Sequence, residues 1–338
     1  MKKAKLVKGL IGILTLAMAS ICWGTTPPAV TFRGQATAVS ATVLGINTVL
    51  GDTGALPAKG GALETDLATV NIPLVLSGVI AHADVIGVGD HTEASATVTG
   101  LNLLCGGVLI KADLLQSRAY VVGAGGQTPV STGSSQLVNL VVGGKAIVIT
   151  GAPNQTISLP VGKIVINERS QGTGAMTVTA LHIVINGIAD LKLARSSVGV
   201  GPCSGCTNTC SGTPNCSANL DFLTGSGALT NSLNGLAHFG LGLGLNNGSN
   251  WGGMVFDDDD SLTHFQATSV LQYVVSSTTE RHIEGVGNLN GLFTVNYVLD
   301  VVENGTQGAI FTLNLSNGYK ISGPINMGFL QIRTSCNN

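Results

Sequence analysis

Alternation of apolar and polar residues dominates this chain and predicts β-strands almost throughout. Residues 176–186 read Met-Thr-Val-Thr-Ala-Leu-His-Ile-Val-Ile-Asn, a run rich in the β-branched residues that strands favour. Because side chains alternate along a strand, Thr177, Thr179, Leu181, Ile183 and Ile185 should share one face. Helical periodicity is scarce, and only the stretch 60–70 allows a short helix. The pattern therefore predicts an all-β fold.

The second half of the chain shows the pattern in a more regular form. Five Asn-Gly pairs divide it into apolar runs, at 234–235, 247–248, 290–291, 304–305 and 317–318. Asn-Gly is the strongest short-range hairpin signal, because both residues tolerate positive φ in a type I′ turn. In 238–245, large apolar residues alternate with His and Gly. We therefore predict an antiparallel meander with one buried face, in a sandwich or a small barrel.

A segment almost free of apolar residues separates the two halves. Residues 201–219 are rich in Gly, Pro, Ser, Thr and Asn, and they contain four cysteines. Such a composition is typical of a linker. We therefore predict two antiparallel β-sandwich or barrel-like domains, over 25–200 and 220–338, joined by a Cys-rich linker at 201–219.

The N-terminus has the three-part layout of a secretory signal peptide. Four lysines within the first eight residues precede an apolar run at 10–19, and small residues follow up to Gly24. The run is shorter than the ~20 residues that span a bilayer. We expect a signal peptide at 1–24 and a secreted, extracellular protein that associates with the cell surface. An acylated Cys22 and a retained anchor helix are the alternatives.

Composition limits the partners of the exported chain. Charged residues make up 10% of the sequence, against ~25% in ordinary domains, while 44% is hydrophobic and can form a large core. Four of the 16 basic residues and none of the 18 acidic ones lie in the signal, which leaves a net charge of −6. Clustered Lys and Arg, as in nucleic-acid binders, are missing. A surface of low charge favours self-association or attachment to a matrix. No second apolar run is long enough for a transmembrane anchor after signal removal.

The order of several short segments in the first half resembles the choice-of-anchor P proteins of bacterial cell surfaces. These segments lie at 94–98, 106–113, 131–135, 140–144, 153–157, 165–168 and 177–183. The second half is similar to the domain that commonly follows that module, with markers at 252–257, 283–287 and 290–291. The resemblance implies a structural or adhesion role at a bacterial surface, and it carries over no catalytic residues.

Six cysteines remain after signal removal: Cys105, Cys203, Cys206, Cys210, Cys216 and Cys336. An even number in an exported protein predicts disulfide bonds. We expect two local bridges among the four linker cysteines, which would stiffen the joint between the domains. Cys105 either pairs with Cys336 or is a buried thiol in a strand. A zinc site around Cys203 and Cys206 is the alternative for the linker, although its spacing fits poorly.

Two groups of charged residues are candidate cation sites. Asp257, Asp258, Asp259 and Asp260 repel one another, so they belong on a solvated loop or around a cation. Calcium is common outside cells and takes oxygen ligands, although the EF-hand spacing is absent. His82, Asp84, Asp90 and His91 form either a metal-binding group or a polar turn between strands.

Known catalytic motifs are missing from the sequence. It contains neither a Gly-x-Ser-x-Gly elbow nor a phosphate-binding Gly-x4-Gly-Lys-Ser/Thr loop. We therefore expect a non-catalytic secreted or cell-surface structural or adhesion protein, which self-associates or forms a matrix. We expect no cofactor, and calcium is the alternative. Its partner would be a cell-surface or matrix component, or a second copy of itself. The alternatives are a secreted glycan- or calcium-binding module and, next, an extracellular hydrolase that uses two carboxylates.

Overall fold

A computed structural model describes residues 31–73, 75–123, 128–201, 220–304 and 308–334. Within these ranges the chain forms 24 β-strands and one short 3₁₀ helix, which confirms the all-β prediction. The described part of the chain contains no helix that is long and apolar enough to cross a membrane. The signal segment, the linker cysteines from Cys203 to Cys216, and Cys336 lie outside the described residues.

Fifteen strands belong to residues 31–201, which we call the first module, and nine belong to residues 220–334, the second module. The strands of the first module are β1 (Phe32–Val43), β2 (Ile46–Asp52), β3 (Gly61–Leu67), β4 (Val70–Ile72), β5 (Leu76–Gly78), β6 (Ala81–Val88), β7 (His91–Cys105), β8 (Val108–Val122), β9 (Val130–Val138), β10 (Val141–Val142), β11 (Lys145–Ala146), β12 (Gln155–Leu159), β13 (Gly162–Gly172), β14 (Ala175–Ile185) and β15 (Ala189–Val200). Those of the second are β16 (Leu220–Thr230), β17 (Leu236–Asn246), β18 (Ser249–Asp258), β19 (Thr263–Val275), β20 (Glu280–Leu289), β21 (Phe293–Glu303), β22 (Ala309–Leu315), β23 (Lys320–Pro324) and β24 (Met327–Thr334).

The first module is a sandwich of two antiparallel sheets. Sheet A has the order β12-β13-β14-β15-β1-β2. Sheet B has the order β11-β10-β8-β7-β5-β4, with β6 joining β3 to β7 and with β9 paired to β8. Strands β1, β14 and β15 face β6, β7 and β8 across one core of Val, Leu, Ile and Ala side chains. The predicted sandwich is therefore present in this module.

The second module is a single antiparallel sheet, sheet C, with the order β23-β22-β21-β20-β19-β18-β17-β16-β24. It curls into a half-barrel, so that β24 also contacts β21 and β22. Stacked rings of Phe239, Phe256 and Phe311 fill its interior. Asn247 and Asn290 adopt positive φ at the hairpin turns that the Asn-Gly pairs predicted.

Sheet C lies on the face of sheet B that points away from sheet A, so the two modules form three layers. Strands β16, β17 and β18 contact β3 and β6, and every residue of β6 is buried. The expectation of one buried face is therefore wrong for β17. Its Phe and Leu side chains point into the half-barrel, while Gly240 and Gly242 lie against His82 and Glu64 of the first module. Glycines make this possible because a Cβ at 240 would lie only 2.5 Å from the His82 Cβ.

Two local expectations also change. Residues 61–67 form the strand β3 rather than part of a helix, because they pair along their whole length with β6. In β14 the buried face switches from Met176 and Val178 to Leu181 and Ile183. The switch occurs opposite Ala194, whose φ of +51° interrupts the regular alternation. The single face expected for the whole strand is therefore wrong for its first part.

Cys105 ends β7 as a buried free thiol. The buried thiol is one of the two alternatives for this residue. Cys336, its partner in the other alternative, lies outside the described residues, so the Cys105–Cys336 disulfide stays a prediction. Burial raises the pKa of the thiol above its usual value, which favours the protonated, unreactive form.

Candidate functional site

The four consecutive aspartates lie at the connection between β18 and β19. Asp257 and Asp258 end β18, and Asp259 and Asp260 begin the 3₁₀ turn Asp259–Ser261. Because side chains alternate along the end of the strand, Asp257 and Asp258 point to opposite sides. The run therefore divides into two pairs, which have different surroundings.

Asp258 and Asp260 turn towards Asn231. The Asn231 side-chain amide donates to Asp258 Oδ1 at 2.7 Å and to Asp260 Oδ2 at 2.8 Å. The Ser261 and Tyr319 hydroxyl groups donate to Asp258 Oδ2. Burial acts to raise the pKa of Asp258, but these hydrogen bonds outweigh it and hold the pKa below its usual value. A Cβ at Gly235 would lie 1.8 Å from Asp260 Oδ2, so this carboxylate requires the glycine of the Asn-Gly pair. These two aspartates fix the turn between β16 and β17.

Asp257 and Asp259 lie together with His264 on the other side. Asp257 and His264 are opposite each other on β18 and β19, and His264 Nδ1 is 2.6 Å from Asp257 Oδ2. The Asp257 side chain is only 6% exposed, yet its Oδ1 has no hydrogen-bond partner. One ligand atom from each of the three residues lies within 4.8 Å of the others. Burial raises the pKa of Asp257 despite the His264 hydrogen bond, and the charges of Asp259 and Asp258 add to the rise.

These residues line an open cleft of about 490 Å³ between the modules, which we call the aspartate cleft. Ala68, Thr69 and Val79 line it from the first module. The amide side chains of Gln266, Asn288 and Asn290 line it from the second. The cleft thus combines possible cation ligands with neutral donors and acceptors, a set that suits a polar, uncharged ligand.

Comparisons with protein-family models, curated proteins and solved structures find no match. The resemblance to the choice-of-anchor P proteins therefore stays a prediction.

A second cluster lies on β3 and β6, beneath sheet C. His82 is fully buried, with Nδ1 at 2.6 Å from Asp66 Oδ1 and Nε2 at 3.2 Å from Asp84 Oδ2. Glu64 lies next to Asp66, and burial and that carboxylate raise the pKa of Glu64 to about 9. Burial acts to lower the pKa of His82, but the Asp66 and Asp84 carboxylates outweigh it and raise the pKa to about 10.

Residues 82–91 divide into two parts in the structure, and the polar turn covers only the second. Asp90 lies in the turn between β6 and β7, and His91 follows it with Nδ1 at 3.3 Å from Asp90 Oδ1. His82 and Asp84 are buried in the middle of β6, so they do not belong to the turn. Their neighbours are instead Glu64 and Asp66, which come together with them because β3 pairs with β6. The alternating Glu-x-Asp and His-x-Asp motifs were the available signal for this cluster.

A third group of charged residues joins the modules at a second cleft of about 470 Å³. Arg118 of β8 and Arg333 of β24 both donate to the carboxylate of Glu93 on β7. Gln331 accepts hydrogen bonds from both arginines. Because each charge has a partner, this group is suited to holding the modules together.

Proposed function

We propose that the protein is a non-catalytic extracellular adhesion protein, which holds a divalent cation in the aspartate cleft and binds a hydroxyl-rich surface or matrix component there. The observation that carries this proposal is the unpartnered Oδ1 of Asp257. A buried carboxylate oxygen without a donor costs free energy, and a cation shared with Asp259 and His264 would remove that cost.

The ligand set narrows the choice of ion. Two carboxylates are suited to calcium, magnesium or manganese, whereas an imidazole favours zinc and related ions. Three protein ligands leave coordination positions for water or for oxygens of a bound molecule. A cation in this cleft would therefore contact the hydroxyl groups of a glycan, while Asn288 and Gln266 supply hydrogen bonds around it.

The cellular setting comes from the sequence. The signal peptide predicts export, and the low charge of the mature chain favours contact with a matrix or with other copies of the protein. The resemblance to bacterial surface proteins points the same way. Adhesion that requires a bound cation agrees both with export to a surface or matrix and with the cation ligands of the aspartate cleft.

Calorimetric titration with Ca²⁺ and with Zn²⁺ tests the cation site. We expect one of these ions to bind the wild-type protein, and Asp257→Asn and His264→Ala to weaken that binding at least tenfold. Asp260→Asn is the matched control, since it removes the same charge from the same loop but faces Asn231. Equal affinity in Asp257→Asn and the wild type would contradict the proposal.

A glycan array with and without the bound ion tests the ligand. Binding that requires the ion and disappears in Asp257→Asn supports adhesion through the cleft. Sedimentation of the secreted protein in the same buffers tests self-association, which would leave glycans unbound but change the mass of the particle. An ion-loaded protein that binds no glycan and stays a monomer would contradict adhesion through the cleft.

Hydrolysis is the second candidate function, because of one specific observation. Asp257 and Asp259 offer oxygens within 4.8 Å, and the pKa of Asp257 is raised, which suits a general acid. Retaining glycosidases place their carboxyl groups at about 5 Å. Incubation with a panel of polysaccharides distinguishes the two functions, since turnover that Asp257→Asn and Asp259→Asn both abolish would favour the hydrolase.

A further inference from the structure

The cluster on β3 and β6 brings three carboxyl groups together in a buried site. Glu64, Asp66 and Asp84 surround the single imidazole of His82. The Asp66 side chain is 6% exposed and that of Asp84 is 2% exposed, so water screens neither charge well.

Two carboxylate oxygens in this cluster have no partner. Asp66 Oδ1 accepts from His82, but Asp66 Oδ2 and Glu64 Oε2 are buried without a hydrogen bond. Both residues are on β3, two positions apart, so they share one face of the strand. Two adjacent carboxylates with free oxygens need a positive charge or a proton between them.

The second module covers the cluster with a surface of glycines. Gly242 and Gly253 are opposite each other on β17 and β18. A Cβ at Gly253 would lie 3.0 Å from Glu64 Oε1 and 3.3 Å from Asp66 Oδ2, and one at Gly242 would lie 3.1 Å from the Glu64 Cβ. Because these two residues are glycines, no side chain occupies the space next to the Glu64 and Asp66 carboxylates.

We propose that Glu64, Asp66 and His82 bind a divalent cation of the zinc class beneath the second module, and that Asp84 orients His82 for this role. One ligand atom of each of the three residues lies within 4.8 Å of the others. Two carboxylates and one imidazole are a ligand set that zinc accepts, with a fourth position for water. His82 would bind through Nδ1 after releasing to solvent the proton that it shares with Asp66 Oδ1, while Nε2–H donates to Asp84 Oδ2.

Asp84 takes the place that a carboxylate commonly has behind a metal-binding histidine. Such a partner fixes the tautomer and the orientation of the ring, and its loss typically weakens metal binding about 10–100-fold. Asp84 is held in place on the same strand as His82, two residues further on. It is a positioning residue rather than a ligand.

The ion would stabilise the contact between the modules. All three ligands come from the first module, but the space above them is closed by Gly240, Gly242 and Gly253 of the second. Neutralising the carboxylates lowers the cost of burying them under sheet C. This site shares no residue with the aspartate cleft, so the inference does not depend on the proposed function.

Calorimetric titration with Zn²⁺, combined with thermal melting, tests the inference on the full mature chain. We expect Asp66→Asn to bind one zinc ion fewer than the wild type, whereas Asp257→Asn still binds that ion. Asp84→Asn should bind the same ion about 10–100-fold more weakly. Zinc should raise the melting temperature of the wild type by several degrees, and a chelator should reverse the rise. Asp190→Asn is the matched control, because Asp190 faces His182 on an exposed strand surface.

Gly253→Ala provides a variant that keeps every ligand. Its new Cβ would occupy the space beside Glu64 and Asp66, so we expect weaker zinc binding in a folded protein. An unchanged zinc stoichiometry in Asp66→Asn, or no zinc bound by the wild type at this site, would overturn the inference. If only Asp257→Asn lost zinc binding, the zinc would occupy the aspartate cleft. That result would overturn this inference but support the proposed function.

Discussion

Arg333 and Glu93 join the last described strand to the first module. Arg333 Nε donates to Glu93 Oε2 at 2.6 Å, and Arg333 Nη2 donates to Glu93 Oε1 at 3.1 Å. Arg118 donates to the same Oε1 at 2.5 Å from within the first module. Sequence positions 93 and 333 are 240 residues apart, so this ion pair forms only when the two modules have docked.

Removing the Glu93 carboxylate should destabilise the protein strongly. Glu93→Gln leaves two arginines facing each other without their counter-charge, and breaking a buried pair in this way costs about 3–5 kcal/mol. Urea unfolding at neutral pH measures the loss. Glu168→Gln is the control, since Glu168 pairs with His182 at a more exposed position and should cost below about 1 kcal/mol. Equal losses of unfolding free energy in the two variants would show that the Glu93 ion pairs stabilise the protein no more than an exposed pair does.

The Glu93 contribution should also depend on pH. Burial acts to raise the pKa of Glu93, but the charges of Arg333 and Arg118 outweigh it and hold the pKa below its usual value. A lowered folded-state pKa gives stability that is present above the unfolded-state value, near pH 4.3, and is lost as the pH falls through the folded-state value. The difference in unfolding free energy between wild type and Glu93→Gln should therefore be constant above about pH 5 and shrink in stronger acid. A difference that grows in acid would contradict this.

Two buried tyrosines should respond in opposite ways to loss of the hydroxyl group. Tyr273 donates to Asp221 Oδ1 at 2.6 Å, whereas the hydroxyl of Tyr297 is buried without a partner. Tyr273→Phe should cost about 2 kcal/mol, because the acceptor is a carboxylate. Tyr297→Phe should be neutral or stabilising, since it removes an unsatisfied polar group from the core of sheet C. Chemical denaturation of both variants checks the contrast, which a similar loss in each would refute.

Arg281 should keep Asp221 in place for that hydrogen bond. Its guanidinium donates to both oxygens of Asp221, from Nε at 2.8 Å and from Nη2 at 2.7 Å. Arg281→Met removes the counter-charge and leaves the Asp221 carboxylate buried, at a cost of about 3–5 kcal/mol. In a double-mutant cycle with Tyr273→Phe, the two losses should not add, because both act on one carboxylate. Additive losses would show that the two contacts are independent.

The glycine surface of β17 should tolerate no side chain. Gly240→Ala places a Cβ 2.5 Å from the Cβ of His82, so the modules must separate locally, at a cost of about 1–3 kcal/mol. Gly323→Ala is the control on strand β23, because only Leu229 lies within 4 Å of the new Cβ, at 3.9 Å. Thermal melting should show a loss for the first variant and little change for the second.

The sequence by itself determined the all-β class, the antiparallel hairpins of the second module and the large apolar core. These depend on interactions between near neighbours in the chain: alternation defines the faces of a strand, and Asn-Gly defines its turns. The division of the four aspartates could also have been anticipated in part, because Asp257 and Asp258 end a strand and so point apart.

Only the tertiary structure decided what lies against each face. Alternation separates the glycines of β17 from its leucines, but it does not show that sheet B covers the glycine face. It likewise places Glu64 beside Asp66 without placing His82 over them, because that contact requires β3 to pair with β6. Both candidate cation sites and the Glu93–Arg333 pair depend on such contacts between distant segments. A local sequence pattern contains no information about these contacts, since they form only when whole sheets pack together.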